Sequence, residues 1–320
     1  MIPIGPIREA AERADGRLHR TPVFSSEILG GRIGARLVLK AESFQKTGSF
    51  KPRGALNIVL SMEPERRARG LITVSAGNHA QAVAWAARVA QVPCTVVMPA
   101  DAPRSKTEAV RGYGATIIAH PDRVTLFDRM REEEARTGAA FVHPFDDPVG
   151  LAGAGTLGLE IAEQVPDVTC VVVPIGGGGL MAGVTSAIKA LKPECRVIGV
   201  ELEASRGMSS SMRAGKPGPI PVPKTIADGL TPPFVGSIPL EVARRLDEIV
   251  PITEAEIVEG MRALWLFAKL YVEGAGAAAT AALLAGKVRV PSGSVVVSVV
   301  SGGNVDPERA FAAVEALEAR

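Results

Sequence analysis

Cysteine is scarce: Cys94, Cys170 and Cys195 are the only three in 320 residues, and no two form a Cys-x-x-Cys pair. A disulfide framework is therefore excluded as an organising device, and the thiols read as small core residues in a reducing compartment. Histidine is almost as thin. His19, His79, His120 and His143 have no second His or Cys at zinc spacing, so no transition-metal site is expected. Aromatic residues make up 4% of the chain and the net charge is +2, with both signs interspersed. Without a basic block or an Arg-aromatic pattern, a nucleic-acid partner is not expected. No apolar run reaches the ~18 residues of a membrane span, because Gly, Pro or a charge interrupts each one, so no membrane partner is expected either. The opening Met1 to Arg8 lacks the basic start and apolar stretch of a secretory signal. A cytoplasmic location follows as the expectation.

What the chain has in quantity is apolar residues, 47%, and length enough for two globular lobes. From about residue 70, β-branched runs alternate with helix-period segments. Strands are expected at 71–74, 94–98, 115–119 and 141–143, with a polar helix from about Pro103 to Arg111 and a charged one from Asp122 to Arg136. A second series follows, with strands at 168–173, 196–201 and 294–300. Continuous apolar strands separated by helices imply mostly parallel sheets covered on both faces, hence a two-lobed α/β fold. The smaller lobe is expected at 72–146, and the larger from 1–71 and 147–320. The segment from Gly215 to Pro223 is Pro-rich but too short to link domains. The chain stops one helix past its last strand, so no appended regulatory module is expected after Arg320.

Four segments carry chemistry. In Ser49-Phe50-Lys51-Pro52-Arg53-Gly54, Pro52 suits the first turn of a helix, which leaves Lys51 at the helix mouth beside an aromatic ring. Apolar surroundings and the positive end of the helix dipole both disfavour an ammonium and lower its pKa, as a Schiff-base lysine requires. Gly176, Gly177, Gly178, Gly179 and Leu180 follow a strand and open a helix. Glycines let several N–H groups converge, and the helix N-terminus adds partial positive charge, so this loop is built for a phosphate. A dinucleotide fingerprint is the rival, supported by Glu201 on the next strand, but its third glycine would fall at Met181. Ser75, Ala76, Gly77, Asn78 and His79 join a strand to a helix and form a second anion cradle, suited to a carboxylate. Ser301-Gly302-Gly303-Asn304 closes the last strand and sets a hydroxyl at the carboxyl edge of a sheet, where open α/β folds bind ligands.

Together these segments resemble the pyridoxal-phosphate-dependent threonine/serine dehydratases and serine racemases of the tryptophan-synthase-β fold class, over nearly the whole chain. The resemblance implies that pyridoxal 5'-phosphate is the cofactor, carried on Lys51, with Phe50 beside it. It implies that Gly176 to Leu180 hold the phosphate, that Asn78 bonds the phenolic oxygen and that Ser301 partners the pyridine nitrogen. Ser75, Ala76, Gly77 and His79 fall where such enzymes hold the substrate carboxylate. The implied activity is dehydration and deamination of an L-β-hydroxy amino acid, threonine or serine, to a 2-oxo acid and ammonia, by a homodimer. Racemisation, or lyase action on phenylserine or hydroxyaspartate, is the alternative, and a non-enzymatic sensor would need no such lysine. Serine racemase has a serine where this chain has Ala76, so racemisation is expected to be poor. The cation site of some relatives pairs a glutamate with an aspartate six residues on. Glu201 matches the first, but Gly207 stands at the second, so no metal is expected. Thr225 to Gly229 resembles the family's cleft loop, and Glu273 matches a cleft position without an expected catalytic role.

Overall fold

The computed structural model describes residues 1–102, 104–122 and 125–318. Among these, β1 (Val23–Ser25) and β2 (Arg36–Ala41) begin one sheet. The chain then leaves it to build a second from β3 (Leu71–Val74), β4 (Cys94–Pro99), β5 (Thr116–His120) and β6 (Ala140–Phe141). It returns with β7 (Cys170–Pro174), β8 (Arg196–Leu202), β9 (Glu248–Ile252) and β10 (Val295–Val300). The six-stranded sheet has the order β1-β2-β10-β7-β8-β9, parallel except for the β1–β2 pair. The four-stranded sheet, β5-β4-β3-β6, is parallel throughout.

Burial on both faces explains the apolar strands. In β10, Val296 and Val300 join a core with Leu39, Ile198 and Val200, while Val295, Val297 and Val299 join another with Val38, Val171 and Val173. Three strands escape the apolar-run signal for local reasons. β1 has only three residues, β2 carries Arg36 and Lys40, and β9 contains Pro251, tolerable because β9 is an edge. The expected helix at 103–111 is found as Arg104–Gly112, Pro103 lying outside the described residues. The one expected from Asp122 runs Leu126–Thr137, since Thr125 bonds back to Asp122 and turns the chain there; Arg123 and Val124 lie outside the described residues. No helix among the described residues is long and apolar enough to cross a membrane.

The helix Lys51–Ser61 lies between the two sheets. Ala55, Leu56, Ile58 and Val59 pack into the small-sheet core with Leu71, Val83, Val96 and Met98. Its opposite side meets the helix Pro148–Gln164 so closely that a Cβ on Gly153 would lie 2.3 Å from the Arg53 carbonyl. Strand register brings the carboxyl ends of the large sheet level, with Val300 opposite Ala41 and Pro174 opposite Val200. The loops after these ends, with the one after β3, converge on a single cleft.

Candidate active site

Lys51 is the first residue of its helix, and Pro52 occupies a first-turn position where a missing N–H costs nothing. The loop before it is pinned from two sides: Phe50 N–H donates to the Ser301 carbonyl (3.0 Å), and Ser49 bridges Gly302. The half-buried Lys51 amine donates to the Pro144 carbonyl at 2.7 Å and lies 5.1 Å from the centre of the Phe50 ring. Burial pulls its pKa down to about 8, against the opposing pull of Glu273. At pH 7 about a tenth is free amine, far more than for an ordinary lysine, so the group can act as nucleophile or base.

The loop after β7 leads directly into the helix Gly179–Leu191. Gly178 sits at φ +92°, and a Cβ would lie 2.5 Å from the Gly229 carbonyl on Gly176 and 2.3 Å from the Phe145 ring on Gly177, so these three glycines are sterically required. First-turn N–H groups lack partners within a helix, and this bare backbone can receive an anion. Leu180 turns its side chain into the core of the large sheet, leaving its N–H toward the loop. The Ser301 hydroxyl makes one long contact, 3.4 Å to the Ala275 carbonyl, and has capacity to spare.

On the small-sheet side, Gly77 caps the helix Asn78–Ala90. The Ser75 hydroxyl accepts from Gly77 N–H at 3.1 Å and tightens the turn. Ala76, Gly77 and Asn78 are partly exposed to the cleft. His79 differs: its ring is buried, with Nε2 at 3.0 Å from the Val142 carbonyl, and burial with nearby Lys51 lowers its pKa to about 3. The imidazole is a neutral structural group, and only its backbone N–H can serve an anion. Lys106, from the helix Arg104–Gly112, closes over this turn and pairs with Asp228 of the Thr225–Gly229 loop at 2.6 Å.

One network was not legible in the motifs. Asn304 Nδ2 donates to the Thr47 carbonyl (2.7 Å) and to Asn78 Oδ1 (2.8 Å), while Asn78 Nδ2 donates to Glu273 Oε1 (2.6 Å). A carbonyl can only accept, so Thr47 fixes the orientation of Asn304, and Asn304 then fixes that of Asn78. The second Nδ2 proton of Asn78 remains for a ligand. The positive φ of Thr47, 61°, which aims its carbonyl, has no sequence signature. The Glu201 carboxylate caps a helix, with Oε2 accepting from Met208 (3.1 Å) and Ser209 (3.2 Å); Oε1 is buried without a partner. Burial raises its pKa, and no cluster of three or more metal-ligating side chains occurs among the described residues.

Burial, helped by Asp228, pushes the Glu273 carboxyl from its ordinary 4.5 up to about 7. The folded protein thus keeps a proton that the unfolded chain releases, so this contribution to stability is full below pH 4.5 and is lost as pH rises through 7. The loss is about 3 kcal/mol by linkage. Glu273→Gln, which keeps an acceptor for Asn78, is expected to match the wild type near pH 4.5 and exceed it by about 2–3 kcal/mol at pH 8. Urea midpoints at both pH values measure this, and an identical pH dependence in the two proteins would refute it.

Comparison with known proteins agrees with this geometry. Residues 15–302 match the family model described as pyridoxal-phosphate dependent enzyme. An L-threonine ammonia-lyase of Thermotoga maritima is 44% identical over 96% of this chain and 76% of its own length. The catabolic L-threonine dehydratase TdcB of Escherichia coli K12 is 41% identical over 96% of this chain and 94% of its own. Maize serine racemase superposes with a TM-score of 0.92, at 37% identity, covering 99% of this chain and 98% of that one. The lysine at a helix mouth and the glycine loop opposite it thus occur in a chain that belongs to the pyridoxal-phosphate dependent enzyme family.

Proposed function

We propose that the protein is an L-threonine/L-serine ammonia-lyase, converting an L-β-hydroxy amino acid to a 2-oxo acid and ammonia. The observation that carries this reading is the Lys51 amine, depressed to about pKa 8 and held in the same cleft as the glycine loop and Ser301. The names of the relatives at 41% and 44% identity point the same way.

The residues present fit pyridoxal phosphate. A Cβ would fill the loop at Gly177, and the Ser49 hydroxyl is buried without a partner. Lys51 would hold its aldehyde, with Phe50 alongside. Gly176, Gly177, Gly178, Gly179 and Leu180 would hold its phosphate through backbone N–H groups, Asn78 its phenolic oxygen and Ser301 its ring nitrogen. When bound, the group supplies an electron sink for the bond broken at Cα. The backbone at Ser75 to His79 would fix the substrate carboxylate, which sets Cα–H against the Lys51 amine as general base. The Ser301 hydroxyl is neutral and cannot hold the ring nitrogen protonated as a carboxylate would. That weakens the sink and favours prompt loss of the β-hydroxyl. Residues 72–146, which carry the small sheet apart from Leu71 at the start of β3, form the unit proposed to close over the substrate.

Serine racemisation is the second reading, favoured by the likeness to maize serine racemase. Against it stands Ala76, whose methyl group cannot deliver a proton to the face opposite Lys51. Purified enzyme is expected to release 2-oxo acid from L-threonine and L-serine while converting under about one hundredth as much L-serine to D-serine, a discrimination of about 3 kcal/mol. Chiral chromatography with a ketoacid assay tests this. Comparable rates of the two reactions would replace the lyase with the racemase.

A further inference from the structure

We propose that this cleft is shaped for β-hydroxy amino acids with an aryl or other bulky apolar group on Cβ, in preference to serine. The inference rests on the ammonia-lyase reading and narrows its substrate class. Five aromatic side chains form a closed circuit, and two of them, His143 and Phe145, line a cavity together with Lys51. Phe141 stands 5.5 Å from His143, His143 5.0 Å from Phe145 and Phe145 5.3 Å from Phe234. Phe234 is 5.9 Å from Phe127, which returns to Phe141 at 6.5 Å. They come from three places: the helix Leu126–Thr137, the crossing segment that begins at β6, and the loop that follows Thr225–Gly229.

Four of the nine phenylalanines are spent here, in a chain with only 4% aromatics, and none of the five rings is fully buried. Phe127 and Phe141 lean on the small-sheet core of Ile72, Val74, Val97 and Met130. Phe145 instead lies against Gly177 and Gly179 of the glycine loop. His143 is uncharged, because its Nδ1 accepts from Phe145 N–H (3.2 Å) and Asp146 N–H (2.9 Å) and burial lowers its pKa.

The circuit is also in register with the chemistry. Lys51 donates to the carbonyl of Pro144, between two circuit members, and His143 and Phe145 line the same cavity as Lys51 and Phe50. The helix that begins at the carboxylate cradle is tied by His79 to the carbonyl of Val142, one residue before His143. A substrate with its carboxylate on that cradle and Cα at Lys51 has this apolar wall within reach of its Cβ substituent. An aryl group gains from offset or edge-to-face contacts there, whereas serine offers nothing to bury and a second carboxylate would be desolvated without a partner.

The test uses the cofactor-loaded protein with L-threo-phenylserine, L-threonine, L-serine and L-threo-hydroxyaspartate, following 2-oxo acid release. The expected order of kcat/KM is phenylserine, threonine, serine, hydroxyaspartate, with phenylserine at least about tenfold above serine. In Phe127→Ala and Phe234→Ala the phenylserine-to-serine ratio should fall about tenfold, mainly through the KM of phenylserine. A purely structural role would lower both substrates together and leave that ratio unchanged, which would overturn the inference. Calorimetry gives a second readout: L-phenylalanine, which has no leaving group, should bind the wild type about tenfold more tightly than L-alanine. Equal binding would also overturn it. If threonine and serine react but phenylserine does not, the substrate class is wrong and the lyase reading survives. If none of the four reacts, both fall.

Discussion

Lys51→Ala is expected to lower 2-oxo acid release by on the order of 10³–10⁴-fold and to yield a protein that no longer retains the cofactor's colour. The same change should not weaken the fold. Burial holds the folded Lys51 pKa at about 8 against an ordinary 10.5, so in the cofactor-free protein the ammonium is less stable folded than unfolded. That penalty is full below pH 8 and lifts as pH rises to 10.5, because over this interval the unfolded chain binds more protons. Removing the amine relieves it, and at pH 7 the cofactor-free variant should unfold at an equal or higher urea concentration. A variant that is both inactive and markedly less stable would make Lys51 a structural residue and contradict this account.

The largest loss of stability is expected two residues further along. Arg53 is 2% exposed and bonds Glu42 in bidentate fashion, Nε to Oε2 at 2.7 Å and one terminal nitrogen to Oε1 at 2.9 Å. It also reaches Glu160 at 2.7 and 3.0 Å and Thr156 at 3.0 Å. Lys40, fully buried in β2, donates to the same Glu160 (2.5 Å), to Gln164 (2.7 Å) and to the Thr21 carbonyl (2.8 Å). Two cations and two carboxylates thus balance. Burial works against the Glu160 carboxylate, but Arg53 and Lys40 hold its pKa below the ordinary value. Arg53→Ala leaves a surplus buried negative charge and should cost about 3–5 kcal/mol. Pairing Arg53→Met with Glu42→Gln restores neutrality and should recover more than half of that in urea unfolding. An Arg53→Ala midpoint equal to wild type would refute the network's role. Because Arg53 lies in the first turn of the Lys51 helix, the network also fixes where the Lys51 amine stands.

Much of this was legible in the chain. Glycine runs, Pro52 after Lys51 and apolar strands report local requirements that side-chain type must satisfy wherever the chain folds. The strands at 71–74, 196–201 and 294–300 appear within a residue of their expected ends for that reason. What escaped depends on long-range partners. Lys40 and Arg53 look like ordinary surface cations until Glu42 and Glu160, far apart in sequence, are seen beside them. Glu273 matched a cleft position, but its partner there was not readable, because Asn78 meets it from 195 positions away. Phe127, Phe145 and Phe234 lie far apart in the chain, and only the tertiary fold brings their rings together.

The central claim is that Lys51 carries the cofactor, and borohydride reduction of the coloured protein followed by peptide mass mapping tests it most directly. The account predicts one reduced pyridoxyl phosphate group, on the peptide that contains Lys51. The group on another lysine, Lys106 at the cleft mouth for example, would contradict it.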